Sequence, residues 1–279
     1  MTAPPAPKPP SDLKPRVASA VVLIAVAGTV TWIGGTVFAL AMVALAGVLY
    51  FEWVRMTMLP TQAFSVLFGA GVLAASCIWL AAADIGGTLW VGAGGAVLLA
   101  SIVHLRLFAD LSLTRAKWVI GGLAYALAAG ASLVVIRGQA DGSSEGDQGL
   151  VLLAFLFLVV WATDILAYFV GRKVGGPKLM PAISPKKTIS GALGGVAGAI
   201  VVAIAFALLL DDFSLPGSVA LAIVLSVVSQ CGDLFESWIK RRYRVKDSSN
   251  LIPGHGGFMD RVDGLVFAAV PLALYVAIA

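Results

Sequence analysis

Charge is scarce in this chain. Asp, Glu, Lys and Arg make up 12% of its 279 residues, against roughly 25% in a soluble domain. Cysteine and histidine are scarcer still, with 2 of each. Cys77 and Cys231 are too few for a disulfide framework or a thiolate zinc site. Both lie in apolar segments, where buried apolar packing is expected. The shortage of charge excludes a water-soluble domain, and no nucleic-acid partner is expected. What is abundant is apolar: 59% of residues are hydrophobic and the mean hydropathy is +0.96. That composition points to an all-α, polytopic integral membrane protein.

Residues 1–16, MTAPPAPKPPSDLKPR, are rich in proline and carry Lys8, Lys14 and Arg16. They read as a disordered tail. The apolar stretch after them runs to Met56 without a plausible cleavage site, so an uncleaved first hairpin is expected. A span needs about 20 apolar residues. By that measure nine spans are expected, near 17–33, 35–55, 62–83, 87–106, 117–136, 150–171, 190–210, 217–238 and 262–279. A tight turn at Gly34-Gly35 separates the first two, and the last contains Pro271. Placing the N-terminus in the cytoplasm puts every one of the 19 Lys and Arg on the inner side except Arg137. This is the charge asymmetry that orients membrane helices. It places the C-terminus outside. Spans 17–115 then form an N-terminal region expected to help enclose a cavity. Residues 116–279 form the region that carries the chemistry, with inner loops 172–189 and 239–261.

Polar residues inside the spans need a reason, because a charge at mid-bilayer costs about 2.5–3.5 kcal/mol. Ser226, Ser229, Gln230, Asp233, Glu236, Ser237 and Lys240 recur at helical spacing, within an arc of about 120°. They make one polar face that strengthens toward the cytoplasmic end. Asp164 sits one turn before Tyr168 and two before Arg172. It reads either as an ion-pair partner of Arg172 or as a cavity carboxylate that binds a nucleotide. The 172–189 loop carries paired glycines and lysines, with Ser184-Pro185-Lys186-Lys187-Thr188 leading into a helix near Ser190. Lysines beside a helix start suit an anion. The P-loop spacing is absent.

The densest chemistry lies between Ser237 and Asp263, SWIKRRYRVKDSSNLIPGHGGFMDRVD. Lys240, Arg241, Arg242, Arg244 and Lys246 precede a glycine-rich turn containing His255, Gly256 and Gly257. Asp260 and Asp263 then flank Arg261 and share one side of a helix start. With Asp233 they could offer three carboxylates to a pair of cations. Hard cations such as Mg²⁺ take oxygen ligands and bridge to phosphates.

This segment resembles the signature of phosphatidate cytidylyltransferases, also called CDP-diacylglycerol synthases. Ser237, Lys240, Arg241, Lys246, Asp247, Ser249, Ile252, Pro253, His255, Gly256, Gly257, Asp260, Arg261 and Asp263 occupy its fixed positions. The likeness extends to Asp164 and the 184–188 loop, and in apolar character to the whole chain after residue 16. It implies that CTP and phosphatidic acid react to give CDP-diacylglycerol and pyrophosphate. The setting it implies is a membrane-lipid environment at the cytoplasmic face of a bacterial-type inner membrane, in a homodimer. It also implies a metal pair on Asp233, Asp260 and Asp263: Mg²⁺, with a second cation that is Mg²⁺ or a different, even monovalent, ion. Lys240, Arg241, Lys246, Asp247, His255 and Arg261 are the expected catalytic residues. Asp164, Ser184, Lys186, Lys187, Ser237, Gly256 and Gly257 are expected to contact substrate. The competing readings are a CTP-dependent lipid kinase, a cytidylyltransferase for another lipid phosphate, a CDP-alcohol phosphotransferase and a transporter. The last has carboxylates in its favour, but the charge gathers at one mouth and no internal repeat is apparent.

Overall fold

The computed structural model describes residues 13–57, 113–138, 148–252, 254 and 256–278. The expected spans at 62–83 and 87–106, most of the tail, and His255 lie outside the described residues. Each of the other expected spans is a helix. They are α1 (Leu13–Ile33), α2 (Gly35–Met56), α3 (Leu113–Arg137), α4 (Gln148–Val174), α5 (Ile189–Leu209), α6 (Leu215–Arg242) and α7 (Met259–Ile278). α1 takes in the last four residues of the expected tail, 13–16. Among the described residues, 6 helices are long and apolar enough to cross a membrane.

The α6 helix shows why a bilayer is the right solvent. Its buried stripe includes Ser218, Ser226, Ser229, Gly232 and Glu236. Its exposed side chains include Ile223, Val224, Val227 and Trp238. Polar inside and apolar outside reverses the soluble pattern and suits lipid contact. Cys231 corrects one expectation. It lies exposed rather than buried, because it falls off the stripe through Ser229, Gly232 and Glu236 that α6 turns inward.

Helix α5 packs most closely on α4, through its glycine row. A Cβ on Gly191 would stand 2.8 Å from the Ala167 carbonyl, and one on Gly198 2.8 Å from that of Ala162. Small residues let two membrane helices approach until their backbones touch. Thr163 Oγ1, donating to Ser226 Oγ at 2.9 Å, then ties α4 to α6. At the opposite end of the bundle, Gly34 and Gly35 turn the chain at φ 66° and 51°. Arg137 closes that turn, its Nε donating to the Thr31 carbonyl at 2.7 Å. The one basic side chain expected outside thus has a structural partner, at the C-terminal end of α1, where carbonyls lack helical donors.

A second correction concerns the loop after α4. It is a short antiparallel hairpin, β1 (Lys178–Met180) with β2 (Ser184–Thr188). Lys178 and Thr188 pair, and the Thr188 hydroxyl then caps α5 by accepting from the Gly191 N–H at 3.1 Å. Two short strands were invisible because Pro185 and three lysines argue against β structure. Their edges meet the polar end of the bundle, not a large sheet.

Candidate active site

A cavity of about 740 Å³ opens between α4, the hairpin, α5 and α6, within the size range of ligand sites. Asp164, Arg172, Lys178, Lys186, Lys187 and Asp233 supply its charge. The turn at Gly175 and Gly176, with φ 67° and 98°, also lines it. Ser190 fixes that turn by donating from its hydroxyl to the Gly175 carbonyl. Lysines from the hairpin thus face carboxylates from two helices across one space.

Lys187 forms an ion pair with Asp233. Ser237, one turn on, donates to Asp233 Oδ1 at 3.4 Å. Asp164 has Asp263, Asp233 and Lys187 as its electrostatic neighbours. Arg172 does not serve it. The guanidinium donates instead to the Tyr168 hydroxyl at 2.8 Å, which favours the cavity reading of Asp164 over the ion-pair one. Arg241 Nε reaches the Ile183 carbonyl at 3.3 Å, so the two basic segments touch.

Behind this front lies a second layer. The α6 helix ends at Arg242 and Arg244 reverses the chain at φ 55°. The strand-like link from Ile252 N to the Gly256 carbonyl, 2.8 Å, closes the glycine turn. Asp260 is the clasp of this loop. Its Oδ1 accepts from Lys240 Nζ at 2.7 Å, and its Oδ2 accepts from Ser248 N, Gly257 N and Ser248 Oγ at 2.9, 2.9 and 3.0 Å. Gly256 holds φ 85°, and a Cβ there would press to 2.9 Å of Asp260 Oδ2. The turn therefore needs glycine for both conformation and space.

Asp263 joins the two layers. It lies near Asp233 on one side and near Glu236 and Lys240 on the other. Glu236 is 1% exposed, and neither carboxylate oxygen has a hydrogen-bond partner. Lys240 Nζ lies 3.3 Å from its Oε2. Close approach of α6 and α7 enforces this crowding: a Cβ on Gly232 would stand 2.6 Å from the Asp263 carbonyl. A buried carboxylate lacking donors, as Glu236 is, suits a hard oxygen-seeking cation. Among the described residues, no three Asp, Glu, His or Cys side chains already converge as a ligand set.

The structure thus gathers Asp164, Lys186, Lys187 and Asp233 at the cavity, with Asp263, Lys240 and Asp260 behind it. Ser184 lies on the hairpin, half-buried. Lys246, Asp247 and Arg261 are exposed on the loop and the first turn of α7. Asp247 packs beside Gly256, where a Cβ would meet its own at 3.4 Å. Sequence reasoning placed Glu236 on the polar face but gave it no role. It missed Ser248 and, far upstream, Glu52. The tandem Ser248-Ser249 is a weak signal, and a lone acid inside an apolar span, as Glu52 is, was the stronger one available.

The chain matches the cytidylyltransferase family over residues 14–279. It is 42% identical over 271 residues to the phosphatidate cytidylyltransferase of Brucella abortus biovar 1 (strain 9-941), covering 96% of this chain and 94% of that protein. The phosphatidate cytidylyltransferase of Haemophilus influenzae is 46% identical over 132 residues, 46% of either chain. That of Bacillus subtilis is 47% identical over 121 residues, 43% of this chain and 45% of its own. With a match that runs from the first helix to the last residue, the chain belongs to the cytidylyltransferase family.

Proposed function

We propose that this protein transfers the cytidylyl group of CTP to phosphatidic acid, yielding CDP-diacylglycerol and pyrophosphate in phospholipid synthesis. The observation that carries the reading is the cavity where the lysine hairpin faces Asp164 and Asp233. It is a polyanion site set in an apolar bundle, and near-full-length relatives bear the name of that activity.

An oxygen of the lipid phosphate attacks the α-phosphorus of CTP, and the bond to the β-phosphate oxygen breaks. A phosphate monoester is already a nucleophile, so no covalent enzyme intermediate is needed. Both reactants are polyanions, and fixed cations must offset their repulsion. Lys178, Lys186 and Lys187 line the cavity for this purpose, with Arg241 anchored beside them. The apolar part of the lining, Ala167, Leu179 and Ala192, suits the glycerol end of a lipid. Asp233 and Asp263, aided by Glu236, would hold Mg²⁺, which supplies charge neutralisation at the reacting phosphates. Asp260 could join them only by releasing Lys240 or the loop amides. In the loop as folded it orders the backbone instead.

Purified protein in detergent with labelled CTP, phosphatidic acid and Mg²⁺ is expected to release CDP-diacylglycerol and pyrophosphate in equal amounts. A chelator should stop it. Release of CDP would point to a lipid kinase instead, and pyrophosphate without the lipid product would sink the assignment.

The reading extends to topology, with nine spans, N-terminus inside, C-terminus outside and the cavity at the cytoplasmic face of the inner membrane. The one-sided Lys and Arg distribution supports it. A reporter active only outside the cytoplasm, fused after Ala279, is expected to be active. A silent one refutes the odd number of spans. A homodimer belongs to the same proposal, and native mass spectrometry of the active species that finds only monomer removes it.

A further inference from the structure

We infer that Glu52, in the α2 helix, is a positioning residue for the reaction: it holds the loop that carries Asp260 and leads into Asp263. This rests on the reading of that loop as catalytic.

Glu52 is completely buried, inside a helix whose neighbours are almost all apolar. Nothing in α2 itself explains an acid there. Its partners lie about two hundred residues away, in the signature segment. Oε1 accepts from Ser249 Oγ at 2.5 Å and from Phe258 N at 3.0 Å. Oε2 accepts from Met259 N at 2.7 Å, and Ser248 Oγ lies 3.1 Å from it, its single proton shared with Asp260 Oδ2. Each oxygen thus faces one hydroxyl and one backbone amide. The two amides belong to the start of α7, where helical N–H groups have no intrahelical acceptor and favour a negative charge. Glu52 acts as a helix cap supplied from another part of the chain.

The placement has a catalytic consequence. Ser248 Oγ touches both Glu52 and Asp260, so the two carboxylates bracket one turn. Gly257 lies between them, where a Cβ would come within 2.6 Å of Glu52 Oε1. The direction in which α7 leaves this turn sets where Asp263 stands relative to Glu236 and Asp233. Glu52 itself is rigidly seated. The adjacent Trp53 is 2% exposed, donates from Nε1 to the Trp118 carbonyl at 2.8 Å and stacks with Tyr125 and Phe235. An apolar N-terminal region expected only to enclose the cavity therefore fixes the geometry of the chemical loop.

Glu52→Gln tests this. The amide group must face a hydroxyl and a backbone N–H, so one donor loses its acceptor while shape is kept. At saturating substrates kcat should fall by about tenfold or more, with KM for CTP and for phosphatidic acid within about twofold. Hydrogen exchange at the Phe258 and Met259 amides should quicken. Ser249→Ala should lower kcat less, and the double variant should be no worse than Glu52→Gln alone. A wild-type kcat in folded Glu52→Gln, or multiplicative losses in the double variant, overturns the inference. If Glu52→Gln does not fold, Ser248→Ala and Ser249→Ala decide. Faster loop exchange with reduced kcat supports the role, and unchanged values of both reject it. Should the wild type not convert CTP and phosphatidic acid, the functional reading fails, whereas the exchange result still judges the clamp.

Discussion

Asp263→Asn is expected to lower turnover by about a thousandfold or more while leaving the apparent Tm of the detergent-solubilised protein within a few degrees of wild type. The separation follows from what Asp263 does and does not hold. Its one backbone bond is to the next residue, Gly264 N, at 2.8 Å, and an asparagine oxygen accepts that equally well. It is also the carboxylate that adjoins Asp233, Glu236 and Lys240 at once. Replacing it relieves like-charge crowding in the folded state and removes the charge that links the cavity to the second layer. Asp260→Asn, by contrast, should damage fold and turnover together. That carboxylate receives donors on both oxygens from Lys240, Ser248 and Gly257, and an amide must turn its NH₂ toward one of them. Paired measurement of kcat and thermal unfolding on the two variants checks the contrast. Near-wild-type turnover in Asp263→Asn would remove it from the chemistry. An equal loss of Tm in both variants would make it a structural residue.

Much of this arrangement was legible before any coordinates. Apolar runs of span length fixed the helices within a few residues, because in a bilayer the backbone must bond to itself. The polar stripe of α6 was legible because its members repeat at helical spacing and each would be costly against lipid. The meeting of the 184–188 segment with Asp233 followed from both lying at one membrane face. The missing parts share a cause: they depend on partners distant in sequence. Glu52 is one acid among apolar neighbours, and only the folded chain brings the start of α7 to it. Lys240 stood out as one of a basic run, but its pairing with Asp260 depends on the Arg244 reversal, at a φ few non-glycine residues adopt. Glu236 was seen on the polar face, yet its lack of donors appears only once Gly232 lets α7 close over it. The hairpin was hidden because its pairing is short and made by residues of low β-propensity.

Lys240→Met is expected to be the most destabilising single change in the site, lowering the apparent Tm by roughly 10 °C or more and abolishing turnover. The ammonium group stands 2.7 Å from Asp260 Oδ1 and 3.3 Å from Glu236 Oε2, with its side chain 17% exposed. It is therefore the shared partner of two acidic side chains, Asp260 and the buried Glu236. Methionine matches the length of the stem and keeps its packing, so the change isolates the charge. Breaking a buried pair by removing one partner costs about 3–5 kcal/mol, because the remaining charge stays buried and uncompensated. That cause makes a further prediction. Glu236→Gln introduced into Lys240→Met should recover about half of the lost Tm, since it removes one of the two acidic groups that Lys240 faces, yet should restore no turnover. Thermal unfolding of the two variants, read beside their activity, tests the argument. A Lys240→Met protein as stable as wild type would show that the pairing carries no stability. A double variant no more stable than the single one would show that Glu236 is not the charge that Lys240 neutralises.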